Sequence, residues 1–143
     1  MRRSAPLLVL AFMAFFFVSC DSNDDSPATL NATLTGGNTE VPPGDPDGSG
    51  AAEITLDAGS GEVCFNITVS GVQAITAAHI HEGDPGVAGA VVVPFDVSSG
   101  LNGCVQGVDK DLINRILDNP ADFYVNVHNP AFPGGALRGQ LSD

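Results

Sequence analysis

The sequence predicts an all-β domain, a Greek-key-like β-sandwich of about eight short strands with one short helix near the C-terminal third. The 143 residues include 17 glycines and 10 prolines but no tryptophan, a composition typical of short strands joined by tight turns. Apolar residues also alternate with polar ones in several separate runs, as they do in strands with one buried face. A chain of this length has room for one such core beside its terminal segments.

The strands follow from this alternation, taken in chain order. Leu30, Ala32 and Leu34 share one face of the first strand, and the Gly- and Pro-rich segment 36–50 after it is expected to lack regular structure. A turn at 57–61 then joins the second and third strands into a hairpin. The inward residues of that hairpin are expected to be Ala52, Ile54 and Leu56, then Val63, Phe65, Ile67 and Val69. Further strands are predicted over 77–81, 91–95, 104–108, 123–127 and 137–141.

A single helix is predicted between the sixth and seventh strands. Asp109 is its expected N-cap, and Asn119-Pro120 ends it. The apolar stripe that faces the core is formed by Leu112, Ile113, Ile116 and Leu117.

The first 27 residues have the pattern of a leader and a tether. Arg2 and Arg3 precede a 12-residue apolar run, too short to span a bilayer, which predicts a secretory signal peptide over residues 1–19. The residues 17–20 (FVSC) resemble a bacterial lipobox, which implies lipid on Cys20 and a protein anchored to a bacterial membrane. An ordinary signal peptide is the alternative. The acidic stretch after Cys20 resembles surface-export signals, which implies the outer membrane or cell surface; a merely solvated linker is the alternative. Residues 20–27 are then an acidic disordered tether, and residues 28–143 form the domain.

The charge of the chain excludes one class of partner. Its formal net charge is −12, so its surface would repel phosphate backbones, and we expect no nucleic-acid binding. The same repulsion disfavours direct docking on anionic lipid. Membrane contact is therefore expected through the lipid anchor alone.

Two of the three cysteines are expected to form a disulfide. With Cys20 assigned to lipid, Cys64 and Cys104 remain as a pair in an exported protein, the setting in which disulfides persist. A redox or metal role for these thiols is the alternative, although no CxxC motif or neighbouring histidine accompanies them. Cys64 alternates with Val63 and Phe65, so the bond should lie on the face opposite their apolar row.

All three histidines fall in two short motifs, 78–82 (AHIHE) and 124–128 (YVNVH). In a strand, His79 and His81 point to the same side, and His128 at the end of another strand can supply a third nitrogen. This spacing is that of a copper or zinc site with a vacant coordination position, in which Glu82 or Asn126 would hold a ring in one tautomer. The alternative is that the imidazoles hydrogen-bond backbone groups and serve only as scaffolding.

From Thr29 to Leu141 the chain resembles the chordin-type CHRD domain family. The matching pieces are Leu34-Thr35-Gly36, Glu40-Val41-Pro42-Pro43, Gly50-Ala51-Ala52, the segment 77–81, the segment 124–128 and the segment 133–141 (PGGALRGQL). In chordin such domains are extracellular modules, and the bacterial members are mostly exported proteins without an assigned activity. The resemblance therefore implies an extracellular module and does not imply growth-factor binding.

A more distant, local resemblance is to copper,zinc superoxide dismutases. It rests on residues 79–84 (HIHEGD) and on Val127-His128 followed by residues 134–139 (GGALRG). It implies that His79, His81 and His128 hold copper, with Arg138 near the open coordination position. The chain lacks a fourth copper-ligand histidine, a bridging histidine and a histidine-rich zinc loop, so full dismutase activity is not expected.

We therefore expect an exported, lipid-anchored protein that acts as an extracytoplasmic binding or structural module, with a protein or polymer of the cell envelope as its ligand. The alternative is a copper- or zinc-binding protein with a three-histidine site and vestigial dismutase-like redox chemistry. No GxSxG elbow, Walker loop or HExxH motif is present. The sequence favours a non-enzymatic role, and enzymatic activity is the alternative.

Overall fold

The computed structural model describes residues 26–39 and 41–143. The predicted signal peptide, Cys20 and most of the predicted tether lie outside these residues. Within them the fold is all-β, with eight strands and one α-helix. The elements are β1 (Ala28–Thr35), β2 (Ser49–Asp57), β3 (Glu62–Ser70), β4 (Ala77–Glu82), β5 (Ala90–Phe95), β6 (Asn102–Val105), α1 (Lys110–Asp118), β7 (Phe123–His128) and β8 (Leu137–Gln140).

The eight strands form one antiparallel sheet in the order β5-β4-β7-β8-β1-β2-β3-β6. Strands β8 and β1 share a single register pair, Thr35 opposite Arg138, whereas β1 and β2 pair along their whole length. The sheet therefore divides at this seam into two halves. We call β5, β4, β7 and β8 the histidine half, and β1, β2, β3 and β6 the disulfide half.

The two halves face each other across one apolar core. Phe65 on β3 stacks on Phe95 on β5 with ring centroids 4.3 Å apart, although these strands belong to different halves. The connections from β3 to β4, from β5 to β6 and from β6 to β7 cross between the halves, so the predicted Greek-key-like sandwich is confirmed. The largest fully buried side chains come from both halves and the helix and include Leu34, Ile54, Leu56, Ile80, Ile113, Ile116 and Leu137.

Helix α1 closes the core between β6 and β7. The Asp109 side chain accepts a hydrogen bond from the Leu112 backbone N–H at 3.1 Å, which confirms it as the N-cap. Ile113 and Ile116 are fully buried. The helix ends at Asp118, and a short 3-10 turn, Pro120–Asp122, leads into β7. None of the helices in residues 26–39 and 41–143 has the length and apolarity needed to cross a bilayer.

Cys64 and Cys104 lie directly opposite each other on β3 and β6, and their sulfurs are bonded. Strand β6 is an edge strand with little buried surface, and the expected strand at 104–108 begins two residues earlier, at Asn102. The disulfide thus ties β6, the outermost strand of the disulfide half, to its neighbour β3, since burial alone contributes little at β6.

The segment 36–50 was expected to be irregular. It contains a short 3-10 turn at Gly37–Thr39, and its last two residues already belong to β2, which begins at Ser49.

Candidate metal centre

The three histidines meet because β4 and β7 are neighbours in the histidine half. His79 and His81 project from the same face of β4, and β7 places Asn126 opposite His79 and His128 opposite Ala77. Ala78, Ile80, Val125 and Val127 alternate with these residues and fill the core. The histidines therefore lie on the outer face of the sheet.

The imidazoles are close enough to share one ion. One ring nitrogen from each of His79, His81 and His128 lies within 4.8 Å of the other two. The ring centroid of His79 is 5.0 Å from that of His128 and 5.4 Å from that of His81. Ligands about 2.0–2.1 Å from a tetrahedral ion are roughly 3.4 Å from one another, so small side-chain rotations complete the coordination.

In His81 and in His128, a backbone carbonyl bonds one ring nitrogen and so determines which nitrogen can bind a metal. The Nδ1 of His81 lies 2.9 Å from the Gly89 carbonyl oxygen, and the Nδ1 of His128 lies 3.0 Å from that of Pro133. A carbonyl oxygen can only accept, so each Nδ1 carries the proton and donates it. In the neutral rings the Nε2 atoms therefore bear lone pairs. Metal-bound histidines are usually oriented by such a bond from the second nitrogen.

Two nitrogens of the cluster have unmet bonding capacity. Among the described residues, the His79 Nδ1 and the His81 Nε2 are buried without a hydrogen-bond partner. Leaving such groups unpaired in a protein interior costs stability, so each requires an explanation. A cation shared by the two nitrogens would satisfy both.

Burial keeps these rings neutral. Desolvation lowers the pKa of His79, and the neighbouring charges of His128 and His81 lower it further. Desolvation also lowers the pKa of His81, although hydrogen bonds from its Nδ1 to Gly89 and with Asn126 act in the opposite direction. Only the neutral imidazole is a metal ligand, so both shifts favour metal binding near neutral pH.

A loop over residues 83–89 covers this part of the sheet and is held by side chains from β7 and β8. The Arg138 guanidinium, 3% exposed, donates to the carbonyl oxygens of Val87 and Asp84, each at 2.7 Å. Gln140 donates to the Gly83 carbonyl at 3.0 Å. The loop explains why an outer sheet face is buried here.

Tyr124 is a further residue of the site, to which the sequence analysis gave no role. Its ring stacks on His81 with centroids 4.7 Å apart, and the Arg138 guanidinium lies 3.4 Å from the ring centroid on Tyr124. Its hydroxyl accepts from the Gly89 N–H at 3.0 Å. The signal was present in the sequence, because Tyr124 shares a strand face with Asn126 and His128.

The residues expected to assist the histidines occupy different positions. Asn126 is 2% exposed, and its Oδ1 lies 3.1 Å from the His128 Nε2. Glu82 is exposed, and its carboxylate bonds Arg115 at 2.7 Å. Strand alternation accounts for this placement, because Glu82 points to the opposite side of β4 from His79 and His81.

A comparison with protein families was decisive for the identity of the domain. The family model described as the CHRD domain matches residues 30–141. The chain belongs to the CHRD domain family. No curated protein and no solved structure matches it.

The CHRD domain brings a second group of metal-binding residue types together at Glu62, Cys64 and Cys104. The two sulfurs are consumed by the disulfide, and the Glu62 carboxylate accepts a hydrogen bond from the Gln106 amide. An oxidised cystine is a poor metal ligand, because the thiolate is the ligand form of cysteine. The histidines therefore form the better site of the two.

A cavity of about 350 Å³ lies next to Arg138 in the CHRD domain. It spans the seam between the two halves, with threonines of β1 on one side and the 83–89 loop on the other. Its lining includes Thr33, Thr35, Thr39, Pro85, Gly86 and Arg138. Arg138 thus contacts both the cavity and the aromatic ring that stacks on His81.

Proposed function

We propose that the protein is an exported, lipid-anchored CHRD module that binds one copper or zinc ion through His79, His81 and His128. The main support for this proposal is a pair of buried imidazole nitrogens, the His79 Nδ1 and the His81 Nε2. Neither has a hydrogen-bond partner among the described residues. One ring nitrogen from each of His79, His81 and His128 also lies within 4.8 Å of the other two. A hydrogen-bonded scaffold would leave these atoms paired.

The orientation of the rings also supports metal binding over scaffolding. His81 and His128 do bond backbone carbonyls, but each does so through Nδ1, so these bonds leave Nε2 available as a metal ligand. Metal-bound histidines have the same arrangement, in which one ring nitrogen binds the metal and the other donates to an oxygen. Scaffolding alone gives no reason for three imidazole rings to converge.

The donor atoms suit copper and zinc. Imidazole nitrogens bind both ions, and a site of a given geometry generally holds Cu²⁺ more tightly than Zn²⁺. A dismutase-type centre is a weaker proposal, since the whole sequence has three histidines, too few for a four-histidine copper site beside a zinc site. We therefore propose metal binding and not dismutation.

Metal analysis of protein purified without a histidine tag tests this function. After removal of metal and addition of one equivalent of Zn²⁺ or Cu²⁺, we expect one bound ion per chain. The variant with His79→Gln, His81→Gln and His128→Gln together should lose it. Glu62→Gln is the matched control, because it alters the other candidate group and should retain the ion. Equal binding by the triple variant and the wild type would show that the acidic surface, and not the histidines, holds the metal.

A protein or polymer of the cell envelope is the second candidate ligand. The cavity beside Arg138 favours it, since its threonine hydroxyls and arginine suit hydroxyl or carboxylate groups of a polymer. Binding of cell-wall or surface polysaccharide fractions by wild type, and its loss in Thr35→Val, tests this candidate separately from the metal. Unchanged binding in Thr35→Val would place the polymer elsewhere.

Export and anchoring are tested at Cys20. The precursor has a short apolar run followed by Ser19-Cys20, as lipoproteins do. We expect Cys20→Ala to move the protein from the membrane fraction to the soluble fraction, and protease added to intact cells to digest the wild type if it faces outward. Unchanged membrane partitioning of Cys20→Ala would contradict the anchor.

A further inference from the structure

Asn126 occupies the position between the histidines and Arg138. Its register partners are His79 on β4 and Arg138 on β8, so the three side chains form a row across the sheet. It also lies two residues before His128 on the same face of β7. At 2% exposure its amide is nearly sealed from solvent.

The amide of Asn126 approaches all three imidazoles. Its Oδ1 is 3.1 Å from the Nε2 of His128, and hydrogen bonding to the amide partly opposes the lowering of the pKa of His79 and of His81 by burial. These two contacts are incomplete, because the His79 Nδ1 and the His81 Nε2 reach no full hydrogen-bond geometry. Among the described residues, the Asn126 amide therefore adjoins all three proposed ligands.

The contact with His128 is the informative one. The Nδ1–H of His128 is committed to the Pro133 carbonyl, so its Nε2 bears a lone pair in the neutral ring. The Asn126 Oδ1 also bears lone pairs, and the two atoms face each other at 3.1 Å. Two acceptors at this distance repel unless a proton or a cation lies beside both. Their separation is close to the roughly 3.4 Å between neighbouring ligands of a tetrahedral ion.

We infer that the Asn126 Oδ1 is the fourth ligand of the ion and closes the coordination shell. This inference rests on the proposed function and changes one part of the sequence expectation, the vacant coordination position. The three imidazoles suit zinc and copper, and the amide oxygen adds a fourth, harder and neutral donor. The 83–89 loop, held by Arg138 and Gln140, restricts approach from outside.

A closed shell assigns the site to a class. Sites with four protein ligands hold an ion for structure or storage, whereas catalytic sites keep one position for water or substrate. Asn126 therefore makes this a site that retains its metal, not one that presents the metal to a substrate. The same amide specifies the geometry, since its short side chain fixes the oxygen relative to the β7 backbone.

Cobalt substitution with azide as a probe tests the fourth ligand in the full chain. One equivalent of Co²⁺ is added to the metal-free protein, and the visible spectrum, which differs between four- and five-coordinate Co²⁺, is recorded with increasing azide. We expect no spectral change in the wild type or in Asn66→Ala, an exposed strand asparagine of the disulfide half. Asn126→Ala should open a position, respond to azide and bind Zn²⁺ about 10–100-fold more weakly. Asn126→Asp, which keeps an oxygen ligand, should remain insensitive to azide.

The outcomes separate this inference from the proposed function. Stoichiometric Co²⁺ binding with an azide-sensitive wild type overturns the fourth ligand and leaves the three-histidine site intact. An azide-insensitive Asn126→Ala protein overturns it as well, since another group would then close the shell. Failure of the wild type to bind Co²⁺, Zn²⁺ or Cu²⁺ overturns both proposals. Asn126→Ser, with a side chain too short to reach the ion, replaces the alanine variant if that protein does not fold.

Discussion

In the histidine half, strand β7 is buried on both faces from Phe123 to Val127, whereas β1 in the disulfide half alternates between buried and exposed residues. Both strands contribute to the same core. The difference arises on the outer side, where the 83–89 loop covers β7 and water covers β1. One buried face is enough for a sheet to fold, but β7 is buried on its outer face as well. The polar residues of that outer face are proposed metal ligands and their neighbours.

The two halves are also held at their outer sides by different means. A covalent bond between Cys64 and Cys104 secures β6 in the disulfide half. Hydrogen bonds from Arg138 and Gln140 secure the loop in the histidine half. A disulfide needs little burial to be effective, but the hydrogen bonds of the buried Arg138 guanidinium depend on the exclusion of water. We therefore expect the histidine cluster and the 83–89 loop to respond together to a substitution, whereas loss of the disulfide should affect neither.

Loss of the disulfide is expected to have the largest effect. Its closed loop spans 40 residues, for which restriction of the unfolded chain corresponds to about 4 kcal/mol. Cys64→Ala should therefore lower the free energy of unfolding in urea by roughly 2–5 kcal/mol, with increased amide exchange in β6 and unchanged metal stoichiometry. Reduced wild type should behave alike. Peptide mass spectrometry that finds both thiols free in oxidised protein would contradict the pairing.

Two arginines provide the next test of the comparison. Arg138 is buried and makes short charge-assisted hydrogen bonds, so Arg138→Met should cost about 3 kcal/mol and speed amide exchange in residues 83–89. Arg115 pairs with Glu82 in a salt bridge whose side chains are 54% and 46% exposed. Arg115→Met should change stability by no more than about 0.5 kcal/mol. Equal losses in the two variants would mean that the cover of the histidine half is not held by Arg138.

The stability of the metal-free protein should depend on pH differently in the two halves, and we expect this effect to be smaller. Because burial lowers the pKa of His79 and His81, the unfolded chain binds more protons than the native state once the pH falls below about 6.5. The free energy of unfolding that these two histidines contribute above that pH is therefore lost as the pH falls through their lowered pKa values. In the disulfide half, hydrogen bonds from Ser60 lower the pKa of Asp57, so its contribution is lost only at more acid pH.

Urea unfolding at pH 7.5, 6.5 and 5.5 measures this dependence. The double variant His79→Gln/His81→Gln should unfold with a flatter profile across that range, since glutamine does not titrate. A wild-type stability that rises between pH 6.5 and 5.5 would have the wrong sign for buried neutral histidines.

The helix between the halves should show the smallest effect. Asp109→Ala removes the N-cap bond to the Leu112 N–H and should lower the unfolding free energy by about 1 kcal/mol. Asp111→Ala, in the first turn but without the cap bond, should cost a few tenths of a kcal/mol, on the order of its interaction with the helix dipole. A metal affinity altered by Asp109→Ala would show that the helix supports the site.

Much of the fold could be predicted because its strands follow a period of two. The alternation of Leu30, Ala32 and Leu34 placed β1 correctly, and Asp109 with its apolar stripe placed the helix. Strand β6 was predicted two residues late because it buries little and is held by Cys104, so its apolar pattern is weak. The single-pair seam between β8 and β1 could not be predicted, because pairing between distant segments leaves no local signal.

For the site, the sequence predicted which histidines share a face but not what surrounds them. Alternation put His79 and His81 on one side of β4, and the pairing of β4 with β7 brings His128 beside them. The burial of that side depends on a loop whose residues, such as Gly89, act through backbone atoms. Backbone groups are common to all residue types, so their role is invisible in a sequence. The part of Tyr124 was missed for a related reason, since a strand tyrosine is ordinarily read as core.

The course of β1 has a consequence for the orientation of the domain at a membrane. The row that joins His79, Asn126 and Arg138 across the sheet reaches β1 at Thr35, the last residue of that strand. Ala28, where β1 begins, is seven residues earlier, about 23 Å along the strand at 3.3 Å per residue. With lipid on Cys20, as proposed, the anchored segment would join the domain at the Ala28 end. The proposed ion would then be carried at the end of β1 opposite to the anchor's attachment.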